Sequence, residues 1–131
     1  MNIYSRDPEA AVTSDIVSLH CPLTKENRGM VDQAFLNSMK DGAILINTAR
    51  GALIDEEALA EALKSGKLSG AGLDVLAQEP PGENHPLIGL PNCWITPHIA
   101  FIPVETRKIV IDTCGANLKS FLEGGILNRL V

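Results

Sequence analysis

Four short aliphatic runs, Ile16 to Leu19, Ala43 to Ile46, Ala71 to Leu73 and the pair Trp94 and Ile95, alternate with stretches whose apolar residues recur at helical spacing. This alternation constrains the fold more than any single motif. Strands paired in parallel need a crossover long enough to hold a helix, so the pattern reads as βα units joined into a parallel sheet. Such a sheet brings the carboxyl ends of its strands to one edge, and open α/β sheets bind ligands there. A content of 45% hydrophobic but only 4% aromatic residues fits an aliphatic core of the kind that parallel sheets bury under helices.

At 131 residues the chain has room for one small domain. Its formal net charge of −5, with no basic patch, argues against nucleic acid and anionic membrane surfaces as partners. The three cysteines, Cys21, Cys93 and Cys114, are far apart and without Cys-x-x-Cys spacing. They read as reduced thiols, with neither a disulfide nor a metal site implied. The amino terminus reaches charge too early for a signal peptide, and no apolar run approaches the roughly 20 residues of a membrane span. The expected location is the cytoplasm.

Within this frame Pro22 closes the first strand, since a central strand cannot continue through proline. Asp32 is expected to cap a short helix carrying Ala34, Phe35, Leu36 and Met39. Asp55 caps the clearest helix: Glu56 and Glu57 suit the positive end of its dipole, and Ile54 and Leu59 fit a hydrophobic staple. Ala58, Leu59, Ala62 and Leu63 form its buried stripe, and Gly66 is placed to end it in a left-handed turn. A loop with Pro80, Pro81, Gly82 and Pro86 leads to the fourth strand, long enough to mark function or mobility. Trp94 reads as core, His85 as a loop residue, and His20 as lending backbone contacts. A last helix starts near Pro103, with Val110, Cys114, Leu118 and Phe121 on one face, and stops at Gly124 and Gly125.

Chemistry-bearing residues cluster after the strands. Arg50 follows the second, Asp74 and Glu79 the third, and His98 the fourth. A guanidinium is a planar, always-charged fork that matches a carboxylate with two parallel hydrogen bonds. Histidine titrates near neutrality, and a carboxylate beside it favours the imidazolium and fixes the tautomer. The set suits acid-base work on an anionic substrate. Singly, each residue also has an ordinary reading: a solvated Arg50, a structural His98, Asp74 capping a turn, Glu79 exposed in a loop.

Four motifs in order, Val17 to Thr24, Ile46 to Gly51, Gly72 to Val75 followed by Glu79 and Pro80, and Thr96 to Ala100, resemble the D-isomer-specific 2-hydroxyacid dehydrogenase family. Within it they are most similar to glycerate dehydrogenases, which are also hydroxypyruvate reductases. The resemblance implies an α/β fold, an incomplete Rossmann-like doubly wound parallel sheet, with residues 1–131 as the carboxy-terminal half of the dinucleotide-binding domain and no substrate-binding domain. It implies hydride transfer between NAD or NADP and a small 2-hydroxy or 2-keto acid, in a homodimer if the full family assembly applies. By the same resemblance Arg50 grips the substrate carboxylate, His98 donates the proton and Glu79 holds the imidazole. Cys21, Pro22, Thr48, Ala49, Arg50, Asp74, His98 and Ala100 line the cofactor. The related formate dehydrogenases carry glutamine where Glu79 stands, so Glu79 favours hydroxyacid chemistry.

The sequence departs from the family at its start. It has no Gly-x-Gly-x-x-Gly loop to cradle a pyrophosphate; Gly70-Ala71-Gly72 precedes a strand end instead of opening a helix. Met1 to Arg6 resembles the family's second strand, but Ser5 and Arg6 stand where an aspartate normally meets the ribose, a weak hint of NADP against the NAD that the family resemblance favours. The eight residues from Asp7 to Ser14 are too few for the helix, strand and further helix that the family fits there. The strand at Ile16 is therefore expected to leave an open edge, and the chain to be marginal, self-associating or part of a longer product. Two alternatives stand beside the dehydrogenase reading: a non-enzymatic remnant or interaction module of the same fold, and a phosphoglycerate or D-lactate dehydrogenase specificity.

Overall fold

Each aliphatic run becomes a strand, and all four pair in parallel in chain order: β1 (Ile16–Leu19), β2 (Ala43–Asn47), β3 (Leu68–Leu73) and β4 (Cys93–Ile95). The computed structural model describes residues 12–130, in two compact units, one ending at His98 and the other starting at Ile99. Met1 to Arg6, including Ser5 and Arg6, lie outside the described residues.

Register puts Leu19, Asn47, Leu73 and Ile95 in one row at the carboxyl end of the sheet. Side chains alternate between faces, and Leu19, Leu45, Ala71 and Leu73 point into the core. β3 begins three residues earlier than its apolar run suggests, because Ser69 and Gly70 dilute the aliphatic signal; Leu68 and Gly70 pair with Ala43 and Ile44, and Ser69 falls at the register shift between them. The Ser69 hydroxyl donates to the Gly42 carbonyl at 2.6 Å.

Helices α1 (Gln33–Ser38) and α2 (Glu56–Lys64) pack on each other, and α2 packs on β3. Both caps form as expected. Asp32 accepts from the Phe35 amide at 2.8 Å, and Asp55 Oδ1 accepts from the Glu57 and Ala58 amides, both at 3.1 Å. Leu36, Met39, Ala58, Leu59, Ala62 and Leu63 are buried with the inner row of the sheet. Gly66 ends the turn after α2 at φ 77°.

The opposite face of the sheet bears Ile16, Ile44 and Trp94, all exposed. Trp94 is 65% exposed, not core, because it stands on this second face and only the first carries helices among residues 12–98. β1 is paired on one side only among the described residues, as its expected open edge requires.

His85 also differs from its expectation. It does sit in the loop from Asp74 to Asn92, but its side chain is only 6% exposed and its Nε2 lies 3.1 Å from Glu56 Oε2 on α2. The loop is tied down elsewhere too: Leu76 and Leu87 are buried, and the Asn92 amide donates to the Leu63 carbonyl at 3.1 Å.

The second unit holds α3 (Val104–Leu122), with Pro103 at its cap position and Gly124 beyond its end at φ 75°. None of its residues is buried. The expected stripe is therefore exposed at Val110, Cys114, Leu118 and Phe121. Helical spacing shows which residues share a face; burial needs a partner as well. All three cysteines are free, and no helix among the described residues is long and apolar enough to cross a membrane.

Candidate active site

The site begins with a fully buried asparagine at the end of β2. Asn47 Oδ1 accepts from the Ala49 amide at 3.0 Å and its Nδ2 donates to the Arg50 carbonyl at 2.9 Å. This side chain winds Thr48, Ala49 and Arg50 into a tight loop, as asparagine does when it bonds its own following backbone. Arg50 is extended at φ −147°, and its Nη1 donates to the Ala49 carbonyl at 2.6 Å. Arg50, Thr48 and Ala49 share a concavity of about 290 Å³ with His20, Cys21 and Pro22. Behind this lining Asn27 Nδ2 donates to the Pro22 carbonyl at 2.8 Å, and the Ser18 hydroxyl meets His20 Nε2 at 2.8 Å.

At the end of β3 the Asp74 amide donates to the Asn47 carbonyl at 2.9 Å. Its carboxylate is buried and accepts from the Thr96 hydroxyl at 2.5 Å. Thr96 is in turn anchored by its amide on the Leu73 carbonyl. The chain after Asp74 turns so that Glu79 Oε1 accepts from the Leu76 amide at 2.8 Å while Oε2 lies 2.7 Å from His98 Nδ1. A carboxylate only accepts, so the contact places the proton on Nδ1 and leaves Nε2 to face a substrate. The hydrogen bond from His98, and then that from the Leu76 amide, hold the Glu79 carboxyl below its ordinary range against the opposing effect of burial.

His98 itself sits at φ 55°, in the left-handed region, with its amide donating to the Thr96 carbonyl at 2.9 Å. A side chain there costs roughly 1–3 kcal/mol and is kept where surroundings enforce it. Glu79, His98 and Asp74 line a second concavity of about 480 Å³, with Leu87, Ile95 and Pro97 as apolar wall. Burial pushes the thiol of Cys93, also in this wall, up to about 11.

The structure thus joins Glu79 to His98 and gathers Cys21, Pro22, Thr48, Ala49 and Arg50, but in two concavities. Arg50 does not line that of His98. Ala100 lies in the second unit. Gly51 is where the two loops meet: a Cβ there would fall 1.9 Å from the Leu76 carbonyl carbon, so only glycine admits the turn that carries Glu79.

Residues 3–100 match the model of the D-isomer specific 2-hydroxyacid dehydrogenase NAD binding domain. The chain belongs to this family. It is 48% identical over 125 residues to a hydroxypyruvate reductase of Blautia hydrogenotrophica, covering 95% of this chain and 39% of that protein. It is 46% identical over 121 residues to a glycerate dehydrogenase of Methylorubrum extorquens, covering 90% and 38%. The D-lactate dehydrogenase of Lactobacillus jensenii, solved with NAD+, superposes with a TM-score of 0.85 at 32% identity, over 98% of this chain and 42% of that one. The chain therefore spans about two-fifths of the length of the dehydrogenases it matches. The chain-order run of parallel strands agrees with one half of a doubly wound dinucleotide-binding sheet.

Asn47, Gly51, Thr96 and Asn27 position this site; the first three lie inside the four motifs without a role of their own there, and Asn27 lies outside them. Asparagine directly after an aliphatic run was the available signal for Asn47; the motifs contain Thr96 and Gly51, but what each does depends on residues distant in the chain, Asp74 and the Leu76–Ala77 peptide.

Proposed function

We propose that this chain forms the cofactor-side wall and the acid-base pair of a D-2-hydroxyacid dehydrogenase that interconverts a small 2-keto acid and its 2-hydroxy acid, hydroxypyruvate and D-glycerate or glyoxylate and glycolate. The observation that carries the reading is the 2.7 Å contact between Glu79 and His98 beside the buried Asp74 carboxylate. His98 Nε2 gives its proton to the carbonyl oxygen as the ketone is reduced and takes it back in oxidation. Glu79 stabilises the imidazolium that waits for the substrate and keeps the ring in place. Arg50 binds the substrate carboxylate, one residue before the Gly51 contact that links its loop to the Glu79 turn.

The donor set fits one end of NAD or NADP. An acceptor-only carboxylate at Asp74 suits the amide hydrogens of a carboxamide, and Cys21, Pro22, Thr48 and Ala49 offer a small, mostly uncharged wall along the carboxyl edge. Ala100 completes the cofactor set. When bound, the nicotinamide supplies the hydride. The reading includes a reducing cytoplasm, with which three free thiols agree, and a homodimer, which would cover apolar surface such as the exposed face at Ile16, Ile44 and Trp94.

Fluorescence titration with NADH and NADPH, followed by turnover of hydroxypyruvate, glyoxylate and pyruvate, tests the proposal. Micromolar binding of either nucleotide with preference for hydroxypyruvate or glyoxylate supports it. No binding up to millimolar nucleotide turns the balance to a non-enzymatic module, and preference for pyruvate to a D-lactate dehydrogenase.

A further inference from the structure

We infer that Glu56 and His85, which line neither concavity, are positioning residues that hold the Leu76 to Glu79 turn and through it the Glu79–His98 pair. The inference rests on the dehydrogenase reading only for the word catalytic; its geometry is independent of it. Glu56 stands in the first turn of α2, and its two carboxylate oxygens take different tasks. Oε1 accepts from the Ala77 amide at 2.8 Å, and Oε2 lies 3.1 Å from His85 Nε2. His85 Nδ1 accepts from the Leu87 amide at 3.4 Å. The ring proton therefore sits on Nε2 and is donated to Glu56.

This arrangement pins both ends of the catalytic loop to one helix. Ala77 lies next to Leu76, whose amide holds Glu79; His85 lies two residues before Leu87, which is fully buried. Gly51 lies against the same Leu76–Ala77 peptide. The turn is thus held where Gly51 lets it approach and Glu56 satisfies its amide. A carboxylate serves both donors at once, because they converge on the Glu56 head group and each oxygen accepts one. A side-chain amide accepts at one oxygen only, so His85 Nε2–H loses its acceptor unless the ring changes tautomer and gives up the contact from the Leu87 amide.

The test is NMR of the full chain labelled with 13C at glutamate carboxyls and 15N at histidine rings. In the native protein the Glu79 carboxyl should titrate below the ordinary 4.5. In Glu56→Gln and His85→Ala it should move up toward that value, and the His98 Nδ1–H signal should broaden, while sheet amides keep their shifts. His85→Gln, whose side-chain amide reaches the place of Nε2, should restore the native titration. If Glu56→Gln and His85→Ala both fold and leave the Glu79 and His98 signals unchanged, the inference is overturned. Glu56→Gln, nearly isosteric, decides the matter should His85→Ala fail to fold. Absence of cofactor binding or turnover would remove the dehydrogenase reading and leave the clamp standing, so the two failures are distinguishable.

Discussion

His98, the acid-base residue of the proposed function, stands at φ 55°, a backbone position that side chains rarely adopt. Changing it to alanine should lower kcat far more than it raises KM, whereas Arg50→Ala should harm both, since a carboxylate clamp acts in the ground state and the transition state alike. Steady-state kinetics on hydroxypyruvate checks the pair of effects. Glu79 adds a pH dependence whose sign follows from its depressed carboxyl. Its stabilisation is present above the ordinary 4.5 and is lost as pH falls through the lower folded value. The gap in denaturant midpoint between the native chain and Glu79→Gln should therefore narrow on acidification. Cys93, with its thiol pushed up to about 11, should react slowly with iodoacetamide at neutral pH while exposed Cys114 reacts first, as peptide mapping would show.

At the level of elements, α1 and α2 were legible because each carries an aspartate cap in the right place and a regular apolar stripe. Asp55→Ala removes two hydrogen bonds and should cost about 1 kcal/mol in chemical denaturation. Gly51→Ala meets backbone at 1.9 Å, so it should destabilise by several kcal/mol and displace the Glu79 turn. What escaped the sequence reading was long-range. The first half of β3 hid behind Ser69 and Gly70. The stripe on α3 predicted a covered face that the structure leaves exposed, and the role of His85 depends on Glu56, far away in the chain. Periodicity reports a face; it does not report the neighbour.

For the whole molecule, parallel strands in chain order point to the carboxyl edge as the place for a site, and motif order singles out Glu79, His98, Asp74 and Arg50 as candidates, of which the structure brings Glu79 against His98. The division of these residues between two concavities was not legible, since it depends on how loops from different strands turn after they leave the sheet. The edge of β1 that is unpaired among the described residues and the apolar face of Ile16, Ile44 and Trp94 predict association. Sedimentation should show the mean mass rising with concentration, and a monomer unchanged across the range would speak against it. The central claim, that Glu79 and His98 work as one acid-base pair beside a nicotinamide, is tested most directly by single-turnover reduction of hydroxypyruvate with NADH or NADPH, native chain against His98→Ala. The account predicts nucleotide oxidation that the substitution slows by about two orders of magnitude or more; equal rates, or no oxidation above that of buffer, would contradict it.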